Sequence, residues 1–496
     1  MIRIFARSIL GLTILAILSQ SGTPFAAAQT STVKWDTPVN LSNTPTSSDH
    51  AAIVADPYGY VHVLWSEDIG GPALTAHDVV RVGNSIIYSR WDGKSWTAPN
   101  DVLFVPDDSV ADFSAVAVDA KGRLHVVWTG LTNIYYSSAP VQFADSAHAW
   151  RQPIIVTTNS ARSQLESSIG VDQSGNIHIA YATRGEDSGV FHVVSHDGGA
   201  TWSAPTKLSQ PLDQLEVGFS TVKIVSDLAG YLHVIWQTYE KQGFGQAVYY
   251  TRSVDEGQTW STPQQLVYRG PTDFEVGWAY LTTVSQSELH LVYIGNGERP
   301  IGRAHRVTLD GGQTWSAPRE ILTDMEGING YVVPVVDSAH ELHLIIDMRT
   351  RDTQIVGLYY AHWNGNDWSP PVPIATQSLI ADSAHFMAAT TRLGNELFVV
   401  WTELSTGEIW LMRGVVQGRL PAPTQAVPNA ATPTPQPTPT TIPFVTPIGN
   451  GLRVIDHTPP SAANSSSSNS FLPGAGLAVV VIALVIIGRQ LHTRRN

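Results

Sequence analysis

The sequence predicts an all-β fold, a β-propeller of seven four-stranded blades, and two repeated phrases carry this prediction. One phrase is an apolar strand of the type Leu-His-Val-x-Trp, and the other is a Trp-x-x-Pro segment that follows a turn. Each recurs seven times at a spacing of about 55 residues, an interval typical of propeller blades. Short stretches of β-branched and aromatic residues bounded by Gly and Asp are typical of strands. The strand phrase begins at Tyr60, Leu124, Ile177, Leu232, Leu289, Leu342 and Leu397, and the turn phrase at Trp35, Trp96, Trp150, Trp202, Trp260, Trp315 and Trp368.

The two series are offset, and the offset predicts how the ring closes. The first repeated element is the phrase at Trp35, which belongs to the end of a blade. The last is residues 408–412, whose pattern predicts the third strand of a blade. We therefore expect the first strand to complete the last blade, in a propeller that spans residues 32–418. Closure of this kind removes exposed sheet edges.

Both ends of the chain have sequence patterns typical of targeting segments. Residues 1–28 are typical of a secretory signal peptide, because Arg3 and Arg7 precede an apolar run and Ala26–Ala28 supplies a cleavage site. Residues 419–470 are rich in Pro, Thr and Ser, which predicts an extended, disordered stalk. Residues 471–488 are apolar and long enough for one transmembrane helix, and the basic tail 489–496 is expected in the cytoplasm.

A second interpretation of the C-terminal end stays open. Residues 472–476 (Leu-Pro-Gly-Ala-Gly), the apolar stretch and the basic tail resemble a Gram-positive sortase signal. That signal normally has Thr where this chain has Ala475, so we favour a simple single-pass anchor with the propeller outside the cell.

Composition narrows the classes of function. The formal net charge is −13 and the chain contains no Cys. The absence of Cys excludes a disulfide framework, a thiolate metal site and the lipid-modified Cys of a lipoprotein. The acidic balance argues against nucleic acid as a partner.

Three octamers share the pattern Ser/Thr-x-Asp-x-Gly-x-Thr-Trp: Ser195–Trp202, Ser253–Trp260 and Thr308–Trp315. In each, we expect the Asp side chain to bond backbone N–H groups, the Gly to adopt positive φ and the Trp to pack between neighbouring sheets. The octamers resemble the Asp box, and the chain is therefore similar to the sialidase-like, Asp-box (BNR) repeat β-propellers. The structural residues of this motif are Asp197, Gly199, Trp202, Asp255, Gly257, Trp260, Asp310, Gly312 and Trp315.

The octamers should connect third strands to fourth strands, so we expect a ligand at the opposite face, over the channel. An acidic residue enters the innermost strand in six of the seven blades. Together these carboxylates could bind calcium, polyol hydroxyls or a cationic ligand, or each could pair locally. Apart from this calcium hypothesis, the sequence indicates no cofactor or metal. The six residues are Asp49, Asp112, Glu166, Glu216, Glu275 and Asp382.

Loops between second and third strands add further candidates: Arg81, Arg184, Tyr239, Arg349 and Arg351. The resemblance to sialidases implies arginines that hold a sugar carboxylate and a Tyr that is activated by Glu. That family's catalytic domain has six blades and an early Arg-Ile-Pro motif, whereas here no arginine lies between the predicted cleavage point and Arg81. We therefore assign no catalytic residue.

Six histidines recur at one position of the second strand: His62, His125, His178, His233, His290 and His343. Because they repeat with the blade instead of converging, we expect them to be structural and not metal ligands.

The favoured function is an exported, membrane-anchored propeller that binds extracellular glycan or another surface polymer. Two alternatives remain: an exo-acting glycoside hydrolase of the exo-α-sialidase type, and a protein-binding surface scaffold.

Overall fold

A computed structural model of the protein describes residues 33–44, 46–67, 84–104, 111–130, 133–158, 164–183, 188–271, 275–295, 302–376, 384–403 and 405–427. Within these ranges the chain forms 29 strands, β1 to β29, and two short 3₁₀ helices, which arrange into seven antiparallel sheets. The prediction of an all-β propeller with seven blades is thereby confirmed.

The first three blades follow one another along the chain. Blade I comprises β3 (Ser48–Ala55), β4 (Val61–Glu67), β5 (Ser85–Trp91) and β6 (Asn100–Phe104). Blade II comprises β7 (Asp112–Val118), β8 (Arg123–Thr129), β9 (Asn133–Pro140) and β10 (Ile154–Thr158), with 3₁₀ helices at Val141–Phe143 and Ala147–Ala149. Blade III comprises β11 (Gln164–Val171), β12 (Ile177–Thr183), β13 (Gly189–Ser195) and β14 (Thr206–Lys207).

The next three blades repeat the same antiparallel order. Blade IV comprises β15 (Gly218–Ser226), β16 (Leu232–Tyr239), β17 (Gly245–Ser253) and β18 (Gln264–Tyr268). Blade V comprises β19 (Gly277–Thr283), β20 (Leu289–Ile294), β21 (Arg303–Thr308) and β22 (Arg319–Ile321). Blade VI comprises β23 (Met325–Val336), β24 (Leu342–Thr350), β25 (Val356–His362) and β26 (Val372–Thr376).

Blade VII joins the two ends of the ring. Its inner strands are β27 (Ala384–Arg392), β28 (Glu396–Glu403) and β29 (Glu408–Val416), and its outer edge is β1 (Val33–Trp35) with β2 (Val39–Asn40). Val33 pairs with Val416, and Val39 pairs with Leu411. The predicted closure by the first strand is confirmed.

Hydrophobic seams between neighbouring blades hold the ring together. Seven clusters of buried apolar side chains each join two consecutive blades, and one of them joins blade VII to blade I. Trp65, Trp128, Trp236 and Trp401, all on second strands, are at most 1% exposed. Burial of side chains this large is a main source of stability for the sheets.

The recurring histidines are structural, as predicted. In blade I, His62 Nδ1 lies 2.7 Å from the Tyr88 hydroxyl, and Nε2 lies 3.1 Å from Asp56 Oδ2. At His125, His233 and His343 the Nδ1 atom likewise contacts a Tyr hydroxyl, and Nε2 lies 3.3–3.6 Å from an Asp carboxylate. His178 and His290 contact a second histidine in place of the tyrosine. Each of the six rings is fully buried and bonded within its own blade.

The three octamers form the turns between third and fourth strands, and we refer to them as the Asp turns. Asp197 Oδ1 accepts hydrogen bonds from the backbone N–H groups of Ala200 and Thr201, both at 2.9 Å. These donors, with the Thr201 hydroxyl first, hold the pKa of Asp197 well below its usual range. Gly199 has φ of 83°, and the ring of Trp202 packs edge-on against Tyr136 of the preceding blade with centroids 5.1 Å apart. The tryptophans of the other two Asp turns pack in the same way, so each Asp turn links its own blade, III, IV or V, to the preceding one.

The segment 417–427, which we call the strap, runs back along the face of the Asp turns. Arg419 Nη2 lies 2.7 Å from Glu341 Oε1, and its Nε lies 3.1 Å from Asp337 Oδ2 in blade VI. Further along, the backbone N–H of Gln425 bonds the Pro57 carbonyl of blade I at 2.9 Å. The backbone N–H of Ala422 bonds the Leu393 carbonyl of blade VII at 2.8 Å, so the described start of the expected stalk contacts three blades.

The expected signal peptide (1–28), the remainder of the stalk, the apolar segment 471–488 and the tail 489–496 lie outside the described residues. Within the residues that the structure describes, there is no helix long and apolar enough to cross a membrane.

Candidate functional site

The face opposite the Asp turns, which we call the mouth face, is formed where the innermost strands begin. In every blade the innermost strand carries a β-bulge close to this end. Bulges bend a strand and change the direction in which side chains point. The register shifts follow Asp49, Asp112, Gln164, Ser220, Gly277, Gly327 and His385.

Four of these bulges hold a residue other than glycine in the left-handed region: His50 (φ 52°), Thr221 (φ 52°), Trp278 (φ 47°) and Phe386 (φ 47°). Each is the first bulge residue, opposite a buried aromatic residue of the second strand. A left-handed conformation costs a residue with a side chain about 1–2 kcal/mol. Because this strain recurs at equivalent positions around one channel, the side chains that it reorients are candidates for a binding site.

Five aromatic side chains at these bulges form a continuous row, which we call the aromatic arc: Trp278, Tyr331, His385, Phe386 and His50. They come from four consecutive blades, V, VI, VII and I. The centroids of Trp278 and Tyr331 are 5.2 Å apart, those of Tyr331 and Phe386 5.4 Å, and those of Phe386 and His50 3.7 Å. Trp278 and Phe386 are only partly buried, so the arc presents ring surface at the mouth.

Two of the acidic candidates that the structure describes, Asp49 and Glu216, form hydrogen bonds with groups of their own blade. The backbone N–H of His50 donates to Asp49 Oδ1 at 2.8 Å. Glu216 accepts from the backbone N–H of Asp213 at 3.0 Å and from the Thr238 hydroxyl at 2.6 Å. Glu275 is 2% exposed, and Glu166 lies half-buried on β11. For Asp49 and Glu216 this is the local pairing that the sequence left as an alternative to a shared ring.

Two candidate arginines share one carboxylate. Arg349 Nη2 and Nε lie 2.9 and 3.1 Å from Glu326 Oε2, and Arg351 Nε lies 3.9 Å from Glu326 Oε1. Both guanidinium groups therefore already face an internal carboxylate. Tyr239 pairs with Gly218 across β15 and β16, and its phenol occupies the space that a side chain at Gly218 would need.

The remaining candidates give no further geometry. Arg81, Arg184, Asp382 and the side chain of Asp112 lie outside the described residues.

A lysine that the sequence analysis did not select, Lys223, lies on the innermost strand of blade IV, next to the arc. Lys223 Nζ is 6.0 Å from the centroid of the Tyr280 ring, at the outer limit of a cation–π contact. Burial raises the pKa of Tyr280, and the charge of Glu166 raises it further. Arg303 and Asp347, both fully buried, are engaged with neighbouring groups.

Among the described residues, one group of carboxylates and imidazole is compact enough to hold a metal ion: Asp337, Glu341 and His343. It lies on the face of the Asp turns, and the guanidinium of Arg419 already contacts both carboxylates. A positive charge thus occupies this position, and it is not a candidate metal centre.

Comparisons with known proteins bear on the fold. No family model matches the chain, and no curated protein matches it. An ulvan lyase of a new polysaccharide lyase family superimposes with a TM-score of 0.50 at 10% identity, over 76% of this chain and 96% of its own. A protein of unknown function from Dyadobacter fermentans gives 0.49 at 12% identity, over 78% and 99%, and a sialidase of Streptococcus pneumoniae gives 0.43 at 14% identity, over 77% and 70%. At 10% identity the likeness to the ulvan lyase shows the fold alone.

Proposed function

We propose that this chain is an exported, membrane-anchored β-propeller of the Asp-box type that binds extracellular glycan at its mouth face. The observation that carries the proposal is the aromatic arc. Export and anchoring rest on the sequence, through the signal-peptide pattern of residues 1–28 and the apolar segment 471–488 followed by a basic tail.

The arc has the chemistry that a sugar ring needs. Pyranose rings present a face of C–H groups, which packs well on the flat face of an aromatic side chain, while their hydroxyls bond polar groups at the edge. Trp278 and Phe386 supply partly exposed rings, and Lys223 and Glu166 lie on innermost strands of neighbouring blades. Concave, aromatic sites with a few polar groups are typical of small-molecule and sugar recognition.

Removing one ring of the arc should weaken glycan binding. We expect Phe386→Ala in the full-length protein, held in detergent, to reduce retention on a glycan array about tenfold, since one stacked aromatic contributes about 1–2 kcal/mol. Phe386→Leu keeps the apolar volume and removes the ring face, so it should show a similar loss while folding normally.

The matched control is Phe104→Ala. Phe104 is 63% exposed on β6, the outermost strand of blade I and thus the strand of that blade furthest from the channel, and its removal should leave retention unchanged. Equal retention by wild type, Phe386→Ala and Phe386→Leu would exclude the arc as the binding surface. Retention of proteins but of no glycan would support the scaffold alternative instead.

The sialidase alternative predicts turnover, and we expect none. Arg349 and Arg351 face Glu326, so a substrate carboxylate would have to compete with an internal one. Incubation of the full-length protein with a fluorogenic sialoside checks this expectation. Release of the fluorophore that disappears in Arg349→Ala would establish the exo-sialidase and refute a purely binding role.

Calcium should not stabilise the propeller. Asp49 and Glu216 already accept hydrogen bonds from their neighbours, and the acidic group on the opposite face contacts Arg419. We therefore expect the same melting temperature in calcium and in chelator, measured by differential scanning calorimetry. A rise of several degrees with calcium would show that the folded state binds it, and would restore the hypothesis of an acidic ring.

A further inference from the structure

We infer that the strap is a detachable clamp: it holds blade VII to both of its neighbours, and it detaches before the ring opens. Its role does not depend on glycan binding at the mouth face. Two features of the molecule support it, the way in which blade VII is assembled and the contacts that the strap makes on the face of the Asp turns.

Blade VII differs from the other six blades because its third and fourth strands are not consecutive in the chain. In blades I to VI, one connection joins the third strand to the fourth. In blade VII the outer edge is β1 with β2, which pairs with β29 through three residues of β1 and two of β2. Because these strands come from opposite ends of the propeller, non-covalent contacts alone keep the ring closed.

The strap contacts blade VII and the blade that precedes it. In blade VII, the backbone N–H of Ala422 donates to the Leu393 carbonyl at 2.8 Å, and the side-chain amide of Asn395 donates to the Arg419 carbonyl at 3.3 Å. In blade VI, Arg419 Nε lies 3.1 Å from Asp337 Oδ2, whose carboxylate is fully buried. A charge-assisted hydrogen bond of this kind is stronger than one between neutral groups. Arg419 thus joins blade VI to blade VII.

The strap then crosses to blade I, on the other side of the closing seam. The backbone N–H of Gln425 donates to the Pro57 carbonyl at 2.9 Å. Thr424 lies so close to Gly59 that a Cβ added there would be 2.9 Å from its methyl group. At the end of the strap, Val427 packs against the apolar cluster that joins blades I and II. One segment therefore ties the closing blade to both neighbours.

The sequence of the strap suits a segment that docks and detaches as a unit. Pro421 and Pro423 restrict the backbone to extended conformations, so ordering the strap costs less entropy than ordering a flexible chain. Residues 420–426 are exposed, and only Arg419 and Val427, near the two ends, are partly buried. Segments with few buried apolar contacts and exposed backbone hydrogen bonds open at low free energy. The strap should therefore detach while β29, which has buried side chains, stays in its sheet.

The strap also separates β29 from the chain that follows residue 427. Tension on that chain acts first on the contacts with blade I, next on Ala422 and last on Arg419, because they follow this order along the chain. It reaches the pairing of β29 with β1 only after these contacts have broken. The strap therefore protects the closing strands from a pull on the C-terminal end.

Hydrogen exchange of the full-length protein in detergent, followed by mass spectrometry, tests the clamp. Arg419→Gln removes the ion pairs with blade VI, and Gln425→Pro removes the backbone donor to blade I. In each variant we expect residues 417–427 to exchange about tenfold faster than in the wild type, the effect of losing one or two hydrogen bonds. The paired residues 33–35 and 414–416 should exchange about fivefold faster, whereas the strands of blade IV should not change.

The matched control is Arg319→Gln. Arg319 also pairs with an aspartate of the next blade, Asp367, but at the outer edge of blades V and VI and away from the strap. Its loss should leave exchange at 33–35 and 414–416 unchanged. A strap that exchanges at the rate of an unfolded peptide in the wild type would overturn the inference. So would a strap released by the variants with no change at the closing pairs, or an equal acceleration in all seven blades.

Discussion

Replacing Gly312 by Ala is expected to lower the free energy of unfolding by about 3 kcal/mol or more, much more than the same change at its neighbour Gly311. Both glycines lie in the left-handed region, with φ of 84° and 67°. Ala at either position pays about 1–2 kcal/mol for that conformation. The two positions differ in what surrounds them.

A methyl group at Gly312 would collide with the phenol oxygen of Tyr250, in the preceding blade. Tyr250 cannot retreat easily, because its hydroxyl bonds His233 Nδ1 at 2.8 Å and its ring packs against Trp315 with centroids 5.3 Å apart. At Gly311 the nearest atom, in the side chain of Arg252, is 3.6 Å away, an ordinary contact. Urea denaturation of the two variants therefore separates the conformational cost from the cost of the collision.

The double variant Gly312→Ala with Tyr250→Phe provides the control. Loss of the hydroxyl removes the nearest of the colliding atoms and leaves the ring carbon Cζ at 2.5 Å, so the two changes together should cost less than their sum. Gly198 and Gly199 repeat the comparison in blade III, where a methyl group would meet open space at Gly198 and the Tyr136 ring at Gly199. Equal losses of unfolding free energy at Gly311 and Gly312 would show that close contact with the preceding blade is not the reason that this position of the Asp turn requires glycine.

Acid is expected to destabilise the propeller through His192 and His305, which stand where blades I, II, IV and VI have a tyrosine. Burial, together with the neighbouring His178 or His290, lowers the pKa of both rings to about 3. An unfolded histidine has a pKa of about 6.5. Between these values the unfolded chain binds more protons than the folded chain, so the free energy of unfolding falls as the pH drops below about 6.5.

The size of the effect follows from the same linkage. Each of the two histidines should cost about 1.4 kcal/mol for every pH unit below about 6. The groups that face them are the partner histidines, the carboxylates Asp172 and Glu288 behind those partners, the rings of Trp260, Trp363 and Trp368, and Arg319 near His305. Urea midpoints at pH 7.5, 6 and 5 measure the slope.

The double variant His192→Tyr, His305→Tyr should make stability less sensitive to acid, because tyrosine does not titrate in this range. Tyrosine at the equivalent positions already bonds the histidines of blades I, II, IV and VI. His148→Tyr, at an exposed histidine, is the control and should not alter the slope. An unchanged slope in the double variant would show that other groups govern the acid response.

Much of the architecture was predictable because the repeats are local and periodic. Seven Trp-x-x-Pro phrases and the offset at Trp35 were enough to predict the blade number and the closure by the first strand. The structural role of the histidines followed from their occurrence once per blade. The partner of each histidine could not be predicted in this way, since the Tyr or His that it contacts lies on the third strand and varies between blades.

The site was less predictable, for a physical reason. Alternation along a strand indicates which face a side chain occupies, but a bulge adds a residue and changes that direction. Sequence reasoning selected Asp49 and not the adjacent His50 as a candidate ligand-binding residue, although an aromatic residue recurs at this bulge position in other blades, as Trp278 and Phe386. That recurrence was the available signal. The pairing of Arg349 with Glu326, on adjacent strands, required the register of β23 and β24.

A crystal structure of the protein in complex with a glycan that the array retains would show where the ligand binds. We expect a sugar ring to lie against Phe386 and Trp278 at the mouth face, with the Asp turns and the strap free of ligand. A glycan bound on the face of the Asp turns or along the outer strands of a blade would show that the mouth face is not the binding surface.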